Sequence, residues 1–178
     1  VRAAPFVRKS SPWVVANLHV KRPIDHDAAW DSVIYGAHGL GYVDAAHQLT
    51  PPRSETVLTY FRAYGEADVV ARRRDLVARR WESLAMEVFD DLAPAHPGLK
   101  QETSRIDLVV WGHAMPRPTP GFLGAKPFEP PVMLDERLAW ASVDQGGVAL
   151  FEEAQRAGVI AAEAIARALG HEPSETWT

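Results

Sequence analysis

Cysteine is absent from the 178-residue sequence. Its absence excludes disulfides, iron–sulfur clusters, thiolate metal sites and cysteine nucleophiles, and it leaves the redox compartment open. Long apolar runs are also absent, since no run approaches the roughly 18 apolar residues that indicate a membrane span. The basic opening of the sequence lacks the apolar core of a signal peptide. We therefore expect no membrane span and a cytoplasmic location.

Common enzyme motifs are missing as well. The sequence contains no GxSxG nucleophile elbow, no HExxH zinc signature and no GxGxxG dinucleotide fingerprint. Residues 39–41 come nearest to the GxGxxG fingerprint. They lack its third glycine and precede an aromatic strand, so a hairpin turn is the better interpretation. His38, His47 and residues 25–27 lack the spacing of metal ligands, and we predict no metal site.

Basic residues are fewer than acidic residues. There are 19 lysines and arginines against 23 acidic residues, a net charge of −4. This balance argues against nucleic-acid partners and anionic membranes, because both attract a positive field. The arginines at 72–74 share their helix with acidic residues and indicate a solvated face. The apolar fraction of 47% is that of a globular protein with a sizeable core.

The first part of the sequence predicts an antiparallel sheet. Short runs rich in β-branched and aromatic residues alternate with turn signals, and they cover residues 12–22, 32–37, 40–47 and 56–64. The second and third runs flank His38 and Gly39, which predicts a hairpin.

A long helix is expected next, from an N-cap at Asp68 to the prolines at 94 and 97. Its apolar residues recur at spacings of three and four, which predicts one buried stripe: Val77, Trp81, Leu84, Val88 and Leu92. Residues 105–112 predict another strand. The proline-rich stretch from Met115 to Pro131 predicts an irregular arm.

The end of the sequence predicts a short buried strand at 138–143, a turn at 144–147 and a helix from about 149 to 169. One face of this helix carries small residues: Ala154, Ala157, Gly158, Ala161, Ala162. The start of a helix offers unpaired N–H groups and a positive dipole end, so it suits a phosphate or another anion. A plain strand–helix connection with an acidic cap is the alternative interpretation.

Residues 140–165, WASVDQGGVALFEEAQRAGVIAAEAI, resemble the closing segment of flavin-containing amine oxidases and their relatives. That segment has a pattern like EGA-x-x-SG-x-x-AA, which is matched here by 152–154, 157–158 and 161–162, with Glu153 where the family usually has glycine. Upstream, VRAAPF resembles the strand before the family's substrate-domain sheet. Residues 109–122, VVWGHAMPRPTPGF, resemble its Trp-containing arm.

The resemblance implies an α/β fold and part of a larger two-domain flavoprotein. Residues 1–135 would belong to the substrate-binding domain, with its antiparallel sheet. Residues 136–178 would supply the last strand and helix of a Rossmann-type FAD-binding domain. The remaining FAD-binding part would be the partner, in the same protein or as a separate chain, and this chain alone would be inactive and would not hold FAD tightly.

The implied activity is oxidation of an amine or a similar C–H donor by hydride transfer to FAD. The expected cofactor contacts are Ser142, Val143, Asp144, Ala149, Leu150 and Phe151. Tyr42, Trp111 and His113 are the expected contacts with a small-molecule substrate. Without the resemblance, the aromatic residues Tyr42 and Trp111 would be assigned to the hydrophobic core.

No catalytic residue is assigned from the sequence. Oxidases of this family often carry a lysine near the flavin, but Lys21 sits at a strand end and Asn17 is the nearer mid-strand polar residue. Dehydrogenation or isomerisation, as in the related carotenoid-desaturase branch, is an alternative activity. A non-catalytic α+β domain that binds small molecules or partners is the alternative from another class.

Overall fold

The computed structural model describes residues 9–22, 29–50, 54–65, 67–122, 132–135 and 137–173. The chain divides into two compact units: the sheet unit, Ser11–Ala114, and the terminal unit, Val1–Ser10 with Met115–Thr178. In chain order the elements are β1 (Ser10–Val20), β2 (Asp31–Ser32), β3 (Gly41–Asp44), β4 (Thr56–Ala63), α1 (Val69–Ala78), α2 (Trp81–Leu92), α3 (Leu99–Glu102), β5 (Thr103–Pro116), β6 (Val132–Asp135), β7 (Leu138–Trp140), α4 (Val143–Gly146) and α5 (Phe151–Ala168).

The expected antiparallel sheet is confirmed, with five strands in the order β2-β3-β4-β1-β5. β1 lies beside β4, with Trp13 opposite Ala63 and Val20 opposite Thr56. Side chains alternate between the two faces because successive residues of a strand point in opposite directions. On β1 the buried residues of this alternation are Val14, Ala16, Leu18 and Val20. The α/β class is therefore confirmed at the level of sheet and helices.

The core of the sheet unit lies between this buried face and α2. Val88 and Leu92 of α2 belong to one cluster with Leu18, Leu58 and Tyr60. A second cluster contains Val14, Tyr64, Leu76 and Leu84. Because burying each large apolar side chain stabilises a fold by roughly 1.5–3 kcal/mol, these clusters give the sheet unit a core of its own.

The prediction of a single long helix after Asp68 is wrong in one respect, because the structure has two helices, α1 and α2. Asp68 is the N-cap as predicted, and its carboxylate accepts hydrogen bonds from the amides of Val70 and Ala71. Arg79 and Arg80 adopt extended backbone and separate α1 from α2. This break changes the helical phase, so Leu76 is buried while Val77 and Trp81, expected in the stripe, are exposed.

The structure also differs from the hairpin expected at 32–37 and 40–47. The strands β2 and β3 are much shorter than these predicted strands, and residues 33–40 form a loop between them. Gly36 and Gly41 have left-handed φ values of 85° and 99°, which only glycine adopts easily. A Cβ on Gly41 would lie 1.9 Å from the carbonyl oxygen of Ser32. The chain therefore turns away from the extended path that the apolar residues at 33–35 suggested.

The elements from β5 onward show smaller differences from the expectation. β5 continues to Pro116, past residue 112, and residues 123–131 of the expected arm lie outside the described residues. β7 is three residues long, pairs antiparallel with β6, and leaves Leu138 exposed. The helical turn α4, Val143–Gly146, overlaps most of the expected turn at 144–147. The helix α5 agrees with the prediction, and neither it nor another described helix is long and apolar enough to cross a membrane.

Asp91 links three parts of the sheet unit. Its carboxylate accepts a hydrogen bond from the Tyr60 hydroxyl at 2.5 Å and from the amides of His38 and Gly39 at 3.1 and 2.7 Å. Burial alone raises the pKa of Asp91, but these three donors outweigh it and hold the pKa below its usual value. Burial and the bond to the carboxylate raise the pKa of the Tyr60 hydroxyl.

Replacing Asp91 with alanine should lower the free energy of unfolding by about 3 kcal/mol at neutral pH, because a buried hydroxyl and two partly buried amides lose a charged acceptor. Since the folded pKa is lowered, this contribution is present above the unfolded pKa and is lost as the pH falls through the folded one. Urea unfolding at neutral and acidic pH measures both effects. The exposed neighbour Asp90 provides the control, and equal losses for Asp91→Ala and Asp90→Ala would contradict the role of Asp91.

Candidate functional site

The segment that the resemblance assigns to the cofactor is residues 142–151, called the closing loop here. Ser142 caps α4, and its hydroxyl accepts a hydrogen bond from the Asp144 amide at 3.2 Å. Gln145 is 1% exposed and completes the cap: its Oε1 accepts from the Ser142 amide and its Nε2 donates to the Trp140 carbonyl. The buried amide side chain thereby fixes the path from β7 into the loop.

The second half of the closing loop is apolar and exposed. Gly147 ends α4 in the left-handed conformation, with φ of 77°, and its amide bonds the Val143 carbonyl. Val148, Leu150 and Phe151 follow with large exposed fractions, which reach 76% at Phe151. Exposed apolar side chains in a row are typical of a surface that contacts a ligand or another polypeptide.

The start of α5 is not capped by a side chain. Leu150 occupies the N-cap position without a side-chain hydrogen bond, and its own amide donates to the Val148 carbonyl at 2.9 Å. An α-helix leaves its first N–H groups without intrahelical acceptors and concentrates positive dipole there. The backbone amides from Phe151 onward therefore suit an acceptor with negative charge. Glu152 and Glu153 lie in the same first turn, with the Glu153 carboxylate against Gly146.

The small face of α5 is divided between two environments. Ala157 and Ala161 are buried, while Ala154, Gly158 and Ala162 are exposed. A Cβ on Gly158 would meet no atom within 4 Å. One side of the helix thus packs within the terminal unit, and its other small side is open to a close neighbour.

The expected substrate contacts lie on two different faces of the sheet. Trp111 and His113 are exposed residues of β5 that alternate with the buried face, and we call their side the second face. Tyr42 is 4% exposed in the core on the opposite face, and its hydroxyl lies 2.8 Å from Nε2 of His96. Burial lowers the pKa of His96. The structure therefore brings Trp111 and His113 together and places Tyr42 apart from them.

Polar groups that the sequence reasoning did not select also lie on the second face. Nε2 of His19 is 2.9 Å from Asp107, which Arg105 also contacts at 2.8 Å. Hydrogen bonds from His19 and Arg105 lower the pKa of Asp107. Asn17 accepts a hydrogen bond from Thr59 at 2.8 Å. Alternation along β1 places Asn17 and His19 on one face, but their partners on β4 and β5 follow only from the strand order.

Metal ligands are not grouped in the part of the chain that the structure describes, where no three histidine or acidic side chains could hold an ion together. No protein-family model matches the chain, and no curated protein matches it. The amine-oxidase resemblance accordingly stays a prediction.

Replacing Gln145 with leucine should loosen the closing loop, because the Ser142 amide and the Trp140 carbonyl lose their buried partner at a cost of about 1–3 kcal/mol. Amides of residues 142–151 should then exchange with deuterium faster. Gln155→Leu, at an exposed position of α5, is the matched control. If both variants exchange like the wild type in this segment, Gln145 does not hold the loop.

Proposed function

We propose that the chain is part of an FAD-dependent oxidoreductase of the amine-oxidase type. The sheet unit would help to bind the substrate, and the closing loop would contact the cofactor. The observation that carries the proposal is the start of α5, where uncapped backbone amides follow an exposed apolar loop in the segment that resembles the family. The flavin would accept the hydride, and the protein's contribution would be positioning and electrostatics.

The residues of the closing loop fit one end of a flavin. Reduced flavin gathers negative charge near N1 and O2, and amides at the start of a long helix stabilise such charge. Phe151 and Glu152 would supply these amides, because the Leu150 amide already bonds the Val148 carbonyl. Ser142, Val143, Asp144 and Ala149 would line the approach. The exposed rings and chains of the loop would cover the flavin plane.

The second face of the sheet would form part of the substrate site. Trp111 is 55% exposed beside His113, so its indole is free to stack on an apolar donor. Tyr42 is buried in the core on the opposite face and is not part of this proposed site. Asn17 and His19 offer polar groups on the same face as Trp111. Oxidase and dehydrogenase activities share the hydride step, and both agree with this arrangement.

A non-catalytic binding domain is the second candidate, and one observation favours it. Both core clusters lie within Ser11–Ala114, so the sheet unit has the closed core of a self-sufficient domain. The exposed Val148, Leu150 and Phe151 favour the flavoprotein instead, because a self-sufficient domain has little reason to expose them together. A bound flavin in the intact protein distinguishes the two candidates.

Phe151→Pro in the intact flavoprotein should lower the two-electron reduction potential of the flavin. Proline suits the first position of a helix but has no N–H, so one stabilising bond to the reduced anion is lost. A loss of about 1.5 kcal/mol corresponds to a fall of about 30 mV. Redox titration of the purified protein measures it.

Phe151→Ala is the control, because it removes the ring and keeps the amide. The reduction potential should fall further in Phe151→Pro than in Phe151→Ala, and the two variants should have equal helix content. Identical reduction potentials in the two variants would show that the backbone amides at the start of α5 do not contact the cofactor.

Trp111→Ala should raise KM about tenfold with little change in kcat, because an exposed ring that stacks on the substrate contributes uniform binding. Its effect on the free energy of unfolding should stay below about 1 kcal/mol. Trp30, which is also 55% exposed, provides the matched control in Trp30→Ala. A large loss of stability with unchanged KM would make Trp111 a structural residue.

A further inference from the structure

We infer that a groove between α2 and the start of β5, called the α2–β5 groove, binds a small carboxylate with an aromatic ring. The groove has a volume of about 420 Å³, which is within the range of small-molecule pockets. It lies within the sheet unit and shares no residue with the closing loop or with Trp111 and His113. The inference therefore stands independently of the flavoprotein proposal.

The groove has an apolar floor and a wall of exposed, polarisable side chains. Ala85, Phe89 and Ile106 form the floor, and Phe89 and Ile106 also pack against the core beneath it. Trp81 and Met86 form the wall and remain 60% and 41% exposed. A tryptophan ring and a methionine sulfur both favour contact with an aromatic ring, so the apolar part of a ligand would be aromatic.

The charge of the groove selects a carboxylate. Glu82 pairs with Arg80, and Arg105 pairs with Asp107, so these rim charges are compensated. Lys100 has no carboxylate partner among the described residues, and its ammonium contacts the Met86 sulfur at 3.1 Å. Because a thioether is a weak acceptor, the ammonium keeps donors for an anion.

The two hydroxyl groups at the rim already donate to backbone carbonyls, so Lys100 is the donor for a ligand carboxylate. Thr103 donates to the Leu99 carbonyl at 2.7 Å, and Ser104 donates to the His19 carbonyl at 3.1 Å. A ligand carboxylate would therefore bind the ammonium while its ring lies between Trp81 and Met86. A neutral amide of the same shape would lose the ionic contact, and an amine would be repelled.

Titration with indole-3-acetate, indole-3-acetamide and tryptamine at low salt tests the inference on the full chain. Binding is followed by ¹H–¹⁵N spectra, and Trp81→Phe identifies the indole signal of Trp81. We expect saturable shifts of that signal with the acetate, weaker binding of the acetamide and none of tryptamine. Lys100→Gln should weaken acetate binding about threefold to fivefold, and Lys100→Arg should retain it.

Lys9→Gln is the control, because Lys9 precedes β1 and does not line the groove, and it should bind the acetate like the wild type. The proposal is overturned if the acetate gives no saturable shift in a folded protein. It is equally overturned if acetate and acetamide bind alike, if Lys100→Gln binds like the wild type, or if the shifts occur only at signals away from Trp81.

Discussion

The buried carboxylate of Asp91 determines how the sheet unit holds together. It lies at the end of α2, and its three hydrogen-bond donors come from β4 and from the loop between β2 and β3. The loop amides have no strand partner of their own at this point, so the carboxylate satisfies them and keeps the loop against the helix. The helix in turn covers the buried face of the sheet. The alternate residues are left on the second face, where Trp111 and His113 lie.

The terminal unit depends on a different buried polar group. Gln145 satisfies two backbone groups just after β7, and this fixes the path of the chain from β7 into α4. The helix α5 then begins without a side-chain cap, directly after an exposed apolar segment. Water can satisfy the amides, but the apolar side chains gain free energy only when a ligand or another surface covers them. A planar heterocycle that becomes anionic at one end satisfies both, and for this reason flavin is the proposed ligand.

Local patterns in the sequence predicted much of this architecture. The alternation in β1 and β4, the cap at Asp68 and the apolar face of α2 all arise from neighbouring residues. The break at Arg79 and Arg80 was missed because the helical spacing of apolar residues continues across it. In the structure Glu87 of α2 pairs with Arg79 in the break and with Arg62 of β4. Long-range pairs of this kind carry no sequence signal.

We propose that this chain completes a flavin site. The most direct measurement is the visible spectrum and flavin stoichiometry of the intact protein, purified natively with any polypeptide that copurifies with it. We expect about one FAD per protein and the absorption bands of oxidised flavin, which should bleach when a donor amine is added without oxygen. A folded, intact protein that contains no flavin and takes up none from added FAD would contradict it.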